Sequence, residues 1–118
     1  MNTFVSGGPA DSEPVTPVTA LTAGGGELII RLAGELDGTT APALGAQLDS
    51  MVSVEPVRRV VVDLSDVDFC DAATVRVFVL LATALTGRGG ALRIHGARPH
   101  IAWLLRRLGA GGLLSDPW

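Results

Sequence analysis

The pattern of apolar and polar residues predicts strands and helices that alternate along the chain. Two alternating segments, 15–21 and 27–33, flank three consecutive glycines and predict a β-hairpin. Pro17 confines the first of these strands to the edge of a sheet. The β-branched segment at 59–64 is typical of a strand buried on both faces. A fourth strand, bounded by glycines, is predicted at 91–95.

Three helices are predicted between and after these strands. Thr39 and Thr40 are candidate N-caps of the first helix, which Pro56 ends. The apolar face of this helix consists of Leu44, Leu48, Met51 and Val52. The second helix follows Asp71, a natural N-cap, and extends to about residue 86, with a core stripe of Val75, Phe78, Ala82 and Leu85. The third begins at Pro99, and its stripe comprises Ile101, Leu104, Leu105 and Leu108.

The resulting order, β-β-α-β-α-β-α, predicts an α/β fold with a mixed sheet and about three to four packed helices. The hairpin is antiparallel, and the helical crossovers after it imply parallel strands. Residues 65–70 are predicted to form a short acidic turn that displays a functional edge. Residues 1–14 are rich in Gly, Pro, Ser and Asp and predict a flexible tail, whereas residues 15–118 predict one domain.

Composition narrows the classes of partner and of chemistry. The formal charge is −3, and all nine basic residues are arginine, in no stripe that suits a nucleic-acid backbone. The absence of lysine excludes Schiff-base chemistry and a phosphate-binding Walker motif. The longest apolar run, 77–85, is far shorter than the ~20 residues of a membrane span. No basic residue precedes an apolar run at the N-terminus, so we expect no signal peptide and a cytoplasmic protein without a membrane partner.

Few side chains suit catalysis or metal binding. Four aspartates suggest a magnesium site of the kind found in phospho-acceptor receiver domains: Asp63, Asp66, Asp68 and Asp71. Such a domain would also need a lysine, so we interpret these aspartates as turn residues and a helix cap, with no metal and no cofactor. His95 and His100 have no nucleophile with a matching acid and are predicted to be structural or surface residues. Cys70 is predicted to be a small packing residue, because neighbouring aspartates disfavour its thiolate. We therefore predict no catalytic residues and no enzyme.

Two motifs resemble the STAS domain of bacterial anti-sigma factor antagonists. The first is the segment 34–37, Gly-Glu-Leu-Asp, which leads into a Thr-Ala-Pro helix start. The second extends from Val61 to Asp71, and the similarity covers about residues 15–114. The resemblance implies a non-enzymatic switch. In that family the unphosphorylated antagonist binds an anti-sigma factor, a serine kinase of the histidine-kinase ATPase fold, and so releases a sigma factor.

The resemblance also implies where partner binding and its control take place. The family's phosphorylated residue directly follows the aspartate of the second motif, but in this chain Ala72 follows Asp71. We therefore expect a protein locked in the binding-competent state, with Thr74 as the alternative, a displaced acceptor. By matching position, the partner surface is predicted to comprise Asp37, Gly38, Thr39, Asp71, Ala72, Ala73, Thr74, Val75 and Arg76.

Several alternatives stay open at the level of the sequence. Some STAS-like domains bind nucleotides or other small molecules, and others are scaffolds in partner-switching or stressosome-like complexes. The second helix is apolar nearly all round, so it is either well covered or partly a docking surface. Trp103 lies off the apolar stripe of the third helix, where it is either covered by the terminal segment or exposed for a partner.

Overall fold

The computed structural model describes residues 18–53 and 57–115, and it confirms the predicted order of elements. The strands are β1 (Val18–Gly24), β2 (Glu27–Leu36), β3 (Arg59–Cys70) and β4 (Ala91–His95). The helices are α1 (Ala41–Ser53), α2 (Ala72–Gly87) and α3 (Pro99–Arg107), followed by a 3-10 turn (Gly111–Leu113). The tail predicted at 1–14, the first three residues of the predicted first strand and Pro56 lie outside the described residues.

The four strands form one mixed sheet in the order β1-β2-β3-β4. β1 is antiparallel to β2, and β2, β3 and β4 are parallel, so the predicted α/β fold is confirmed. The hairpin turns through Gly25 and Gly26, whose φ angles of 62° and 82° favour glycine at both positions. Both helical crossovers step one strand in the same direction, and right-handed crossovers of this kind place their helices on the same face of the sheet.

The core lies between the helices and one face of the sheet. Alternate residues of β2 and β4 contribute to it, as do Leu44, Leu48 and Val52 of α1. The predicted core stripe of α2 is confirmed, since Val75, Phe78, Ala82 and Leu85 are all buried. In α3, Ile101 and Leu105 are buried, but Leu108 is exposed because the helix ends at Arg107. No helix in the described part of the chain combines the length and the apolar character that a membrane span requires.

The prediction of a turn at 65–70 is wrong, because β3 continues through these residues to Cys70. The register against β2 shifts twice: Arg31 faces Asp63, Ala33 faces Asp66, and Glu35 faces Phe69. Each shift inserts one extra residue into β3, which is a β-bulge. The buried positions therefore follow at spacings of two and then three, namely 60, 62, 64, 67 and 70. A strict alternation of apolar and polar residues would have placed Val67 on the solvent side.

The predicted end of the second strand also needs correction. The strand was predicted to end at residue 33, but β2 extends through Gly34 to Leu36, with Gly34 at a φ of 90° beside the second register shift. At the other end of the chain, Leu114 forms a parallel bridge with Ile94, so the terminal segment pairs with the edge of the sheet. Trp103 is 59% exposed, so its ring is not covered, and a partner for it stays a prediction.

Candidate functional site

The loops after β2 and β3 meet because these parallel strands end side by side, with Leu36 opposite Cys70. The backbone N–H of Asp71 donates to the carbonyl oxygen of Leu36 at 3.2 Å. The N–H of Gly38 then donates to Oδ2 of Asp71 at 3.0 Å. The two segments that the sequence predicted as one surface, 37–39 and 71–76, are therefore joined directly.

Asp71 is the N-cap of α2, as predicted, and its carboxylate also bonds to the loop after β2. Its Oδ1 accepts the backbone N–H of Thr74 at 3.2 Å and the hydroxyl of Thr74 at 3.4 Å. Its Oδ2 accepts the N–H of Gly38 from the other loop. One carboxylate thus receives three hydrogen bonds from two loops, which fixes the geometry of the edge.

Asp37 performs the corresponding task at the start of α1. Its Oδ1 accepts the backbone N–H groups of Thr39 and Thr40, at 2.9 and 3.2 Å. The hydroxyl of Thr40 accepts the N–H of Asp37 in return, at 3.0 Å, which is the reciprocal arrangement of a capping box. Thr39 and Thr40 were the predicted N-caps, but the capping side chain is Asp37, because its carboxylate reaches both free N–H groups.

The exposure of the predicted contact residues divides them into two groups. Gly38, Thr39, Ala72 and Arg76 are exposed, and Asp37, Asp71 and Ala73 are half-buried. Thr74 is 0% exposed and Val75 3%, because the third and fourth positions of α2 turn toward the core. Their side chains therefore lie beneath the exposed positions of this turn, and their place in the partner surface stays a prediction. Ala72 presents only a methyl group at the start of the helix.

Two exposed apolar side chains extend this edge, and the predicted site did not include them. Phe69 is 47% exposed immediately before the Cys70–Asp71 pair, and Leu80 is 58% exposed on α2. Leu80 lies four residues after Arg76 and eight after Ala72, so helical spacing alone places it on the same face. Phe69 gave no such signal, because the bulge in β3 decides which way its side chain points.

The edge carries negative charge but no metal-binding cluster. Three exposed acidic residues lie near Phe69, toward the C-terminal ends of β2 and β3: Glu35, Asp66 and Asp68. Asp68 forms an ion pair with Arg98, and Asp63 lies farther down β3, 3.5 Å from the Nε of Arg31. Among the residues that the structure describes, no three His, Cys, Asp or Glu side chains converge on one point. Asp63 and Asp68 are in ion pairs, and Asp71 caps α2.

Cys70 is buried, whereas the two histidines are exposed. Burial raises the pKa of the Cys70 thiol to about 12, and the charge of Asp71 adds to this effect. This agrees with the prediction that Cys70 is a packing residue. His95 is exposed at the end of β4. His100 is exposed too, and its Nε2 lies 2.7 Å from the carbonyl oxygen of Asp68, where it helps to hold α3 against β3.

Comparison with known proteins gives consistent matches. Residues 19–115 match the family model described as "Mlab, STAS domain". An anti-sigma F factor antagonist from Paenibacillus polymyxa is 28% identical over 80 residues, which cover 68% of each chain. The solved structure of the anti-sigma factor antagonist SpoIIAA in its unphosphorylated form has a TM-score of 0.76 at 18% identity and covers 86% of this chain and 89% of that one. SpoIIAA of Bacillus in its phosphorylated form has a TM-score of 0.69 at 18% identity and covers 86% and 92%.

Proposed function

Because the chain belongs to the STAS domain family, we propose that it is an anti-sigma factor antagonist, which binds an anti-sigma factor and so frees a sigma factor. The curated relative from Paenibacillus polymyxa, itself an anti-sigma F factor antagonist, supports this proposal. The observation that carries it is the edge built by Asp71, whose carboxylate joins the loop at 37–39 to the first turn of α2.

The proposed partner is an anti-sigma factor of the serine-kinase type with the histidine-kinase ATPase fold, and both proteins act in the cytoplasm. The chemistry of the edge supports a partner surface that is basic around an apolar recess. Exposed Phe69 and Leu80 supply the apolar contacts, and Glu35, Asp66 and Asp68 supply negative charge. Large exposed apolar side chains near the centre of an interface commonly dominate its binding energy. We therefore expect Phe69 to contribute most to affinity.

We further propose that this antagonist lacks the phosphorylation switch. Ala72 has no hydroxyl at the position where the family's motif places the acceptor. Thr74 has one, but it is 0% exposed and its hydroxyl donates to Asp71. A kinase could reach it only after the first turn of α2 had opened. The protein would thus stay competent to bind its partner while the kinase is active.

The binding proposal is tested with purified protein and the ATPase-fold anti-sigma factors of its own genome, by titration calorimetry. Ala72→Glu places a charge at the centre of the edge and is expected to weaken binding about tenfold or more. The matched control is Ala84→Glu, which adds the same charge to an exposed position twelve residues further along α2. Equal affinities of the two variants, or no binding by any such anti-sigma factor, would refute the proposal.

The absence of the switch is tested with the same partner, ATP and mass spectrometry. The natural protein is expected to gain no phosphate, whereas Ala72→Ser restores an exposed hydroxyl at the start of α2 and is expected to be phosphorylated and released. Stoichiometric phosphate on any of residues 71–76 of the natural protein would contradict this expectation. Thr74→Ala then identifies whether Thr74 had accepted it.

A further inference from the structure

Charge is divided unevenly along the chain. Residues 72–115 contain six of the nine arginines and neither aspartate nor glutamate, whereas eleven of the twelve acidic residues precede residue 72. Residues 72–115 form α2, β4, α3 and the 3-10 turn. α2, α3 and the turn after α3 therefore form a basic flank of the molecule. Residues 72–115, which include this flank, contain no acidic residue.

An apolar groove of about 520 Å³ lies in this flank. One wall is the second half of α2 and the other is the segment after α3, and its lining includes Val79, Ala82, Thr83, Gly109 and Leu113. More than half of the lining residues are glycine or alanine. From Val79 to Gly87 the α2 wall extends over nine residues, about 12 Å, which matches two turns of a bound helix.

Arg106 lies beside one wall of this groove, and Arg107 follows it. An ideal Cβ on Gly111 would lie 3.1 Å from Cγ of Arg106, so Arg106 packs against the same segment that forms the second wall. Arg107 is next in sequence, and its Cζ lies over the ring of Trp103, 5.8 Å from the ring centroid. The ion pairs among residues 18–53 and 57–115 involve Arg31, Arg59 and Arg98 instead. Arg106 and Arg107 therefore make no ion pair within the described residues.

From this combination we infer a second docking surface, which binds an acidic amphipathic helix of a partner protein. Its apolar ridge lies in the groove, with residues spaced i, i+3 or i+4 and i+7, and its flanking Asp and Glu side chains face Arg106 and Arg107. A basic helix would meet repulsion from this flank. The surface is separate from the edge at Asp71 and does not depend on the function proposed above.

The probe is a synthetic helix of about 16 residues with leucines at this spacing and glutamates beside them, titrated to millimolar concentration into the isotope-labelled full chain. We expect amide shifts at 79–87 and 109–113, and an affinity that falls as salt is raised. A matched peptide with arginine in place of glutamate is expected to bind at least about tenfold more weakly.

A pair of variants places the site. Thr83 lines the groove, and the neighbouring Ala84 is exposed outside it, so Thr83→Glu and Ala84→Glu add the same charge to adjacent positions. Thr83→Glu should weaken binding of the acidic peptide about tenfold or more, and Ala84→Glu should change it less than about twofold. Ala72→Glu should leave peptide affinity unchanged even though it disrupts the other surface, which keeps the two proposals distinguishable.

Each other outcome overturns the inference. Equal binding of both peptides, shifts confined to the edge near Phe69, or no shift at all would show that the groove does not select an acidic helix. The protein is also sedimented with vesicles of phosphatidylglycerol. If Trp103→Ala abolishes this sedimentation and Thr83→Glu does not, the ligand is a lipid surface instead. Groove shifts on raising the protein concentration alone would identify a second copy of the chain as the occupant.

Discussion

At the scale of single residues, the carboxylate of Asp71 determines how the candidate edge is built. A serine or threonine cap could accept the N–H of Thr74 through its one oxygen, but it could not also reach the N–H of Gly38. The second oxygen of the carboxylate makes that bond at 3.0 Å. Aspartate at this position is therefore explained by geometry between two loops as well as by helix capping.

We predict that Asp71→Ala destabilises the fold by about 1–2 kcal/mol, because it leaves the N–H groups of Thr74 and Gly38 without their acceptor. The loss is measured as the free energy of unfolding in urea. Asp66→Ala is the control, since Asp66 is exposed and makes no hydrogen bond or ion pair among the described residues. A loss no larger than that of the control would mean that the bonds of Asp71 contribute nothing net to stability.

Cys70 offers a second test at this scale. Its pKa is raised to about 12 by burial, and its thiol donates weakly to the carbonyl oxygen of Asp71 at 3.7 Å. Because the thiolate is the reactive form, we expect an aromatic disulfide reagent to label the folded protein slowly at neutral pH and the urea-unfolded protein quickly. Labelling of the folded protein at the unfolded rate would show that the edge opens freely.

At the scale of elements, α2 could be predicted almost completely from the sequence, because its cap and its core stripe are local features. β3 could be predicted only to Leu64. Beyond it, two bulges against β2 change which residues face the core, and pairing between strands does not show in the periodicity of one strand. The same cause hid Phe69 from the predicted site. Asp37 and Asp71 were included by resemblance, but the bond between their loops depends on the tertiary fold.

The bulges distinguish Val67 from Phe69, which strict alternation would place on the same face of the strand. Val67 is 0% exposed and Phe69 is 47% exposed, although a turn at 65–70 would expose both. Val67→Ala should therefore cost about 2 kcal/mol of unfolding free energy, and Phe69→Ala less than about 1 kcal/mol, despite the larger side chain removed. Urea denaturation of both variants compares these costs. A larger loss for Phe69→Ala would contradict the described path of β3.

At the scale of the whole molecule, the fold turns a division of charge along the sequence into two surfaces. The acidic first part of the chain ends at the edge near Phe69, and the basic part forms the flank that contains the groove. Both surfaces use α2. The edge takes in its first turn and, on the same face, Leu80, whereas the groove begins at Val79, about 10 Å from the start of the helix. A partner bound at the edge would leave most of the groove accessible if it contacted no residue of α2 after Leu80.

The stability of the whole sheet is expected to depend on pH through Asp63, which lies between Arg31 of β2 and His95 of β4. Burial alone would raise the pKa of Asp63. Hydrogen bonds from the hydroxyl and the N–H of Ser65, with the positive charges of His95 and Arg31, outweigh burial and hold this pKa below its usual value. A carboxylate with a lowered pKa in the folded state stabilises the protein at neutral pH.

This stabilisation is fully present above the pKa that Asp63 has in the unfolded chain, about 4, and is lost as the pH falls through its lower folded value. We therefore predict that Asp63→Asn reduces the difference between the unfolding free energies at about pH 7 and about pH 3, measured by urea denaturation. Asp66→Asn, at an exposed position without such bonds among the described residues, should keep the difference of the natural protein. If Asp63→Asn also keeps the difference in unfolding free energy between the two pH values, the acid sensitivity of the sheet must come from other carboxylates. The helix caps Asp37 and Asp71 would then be the next residues to replace.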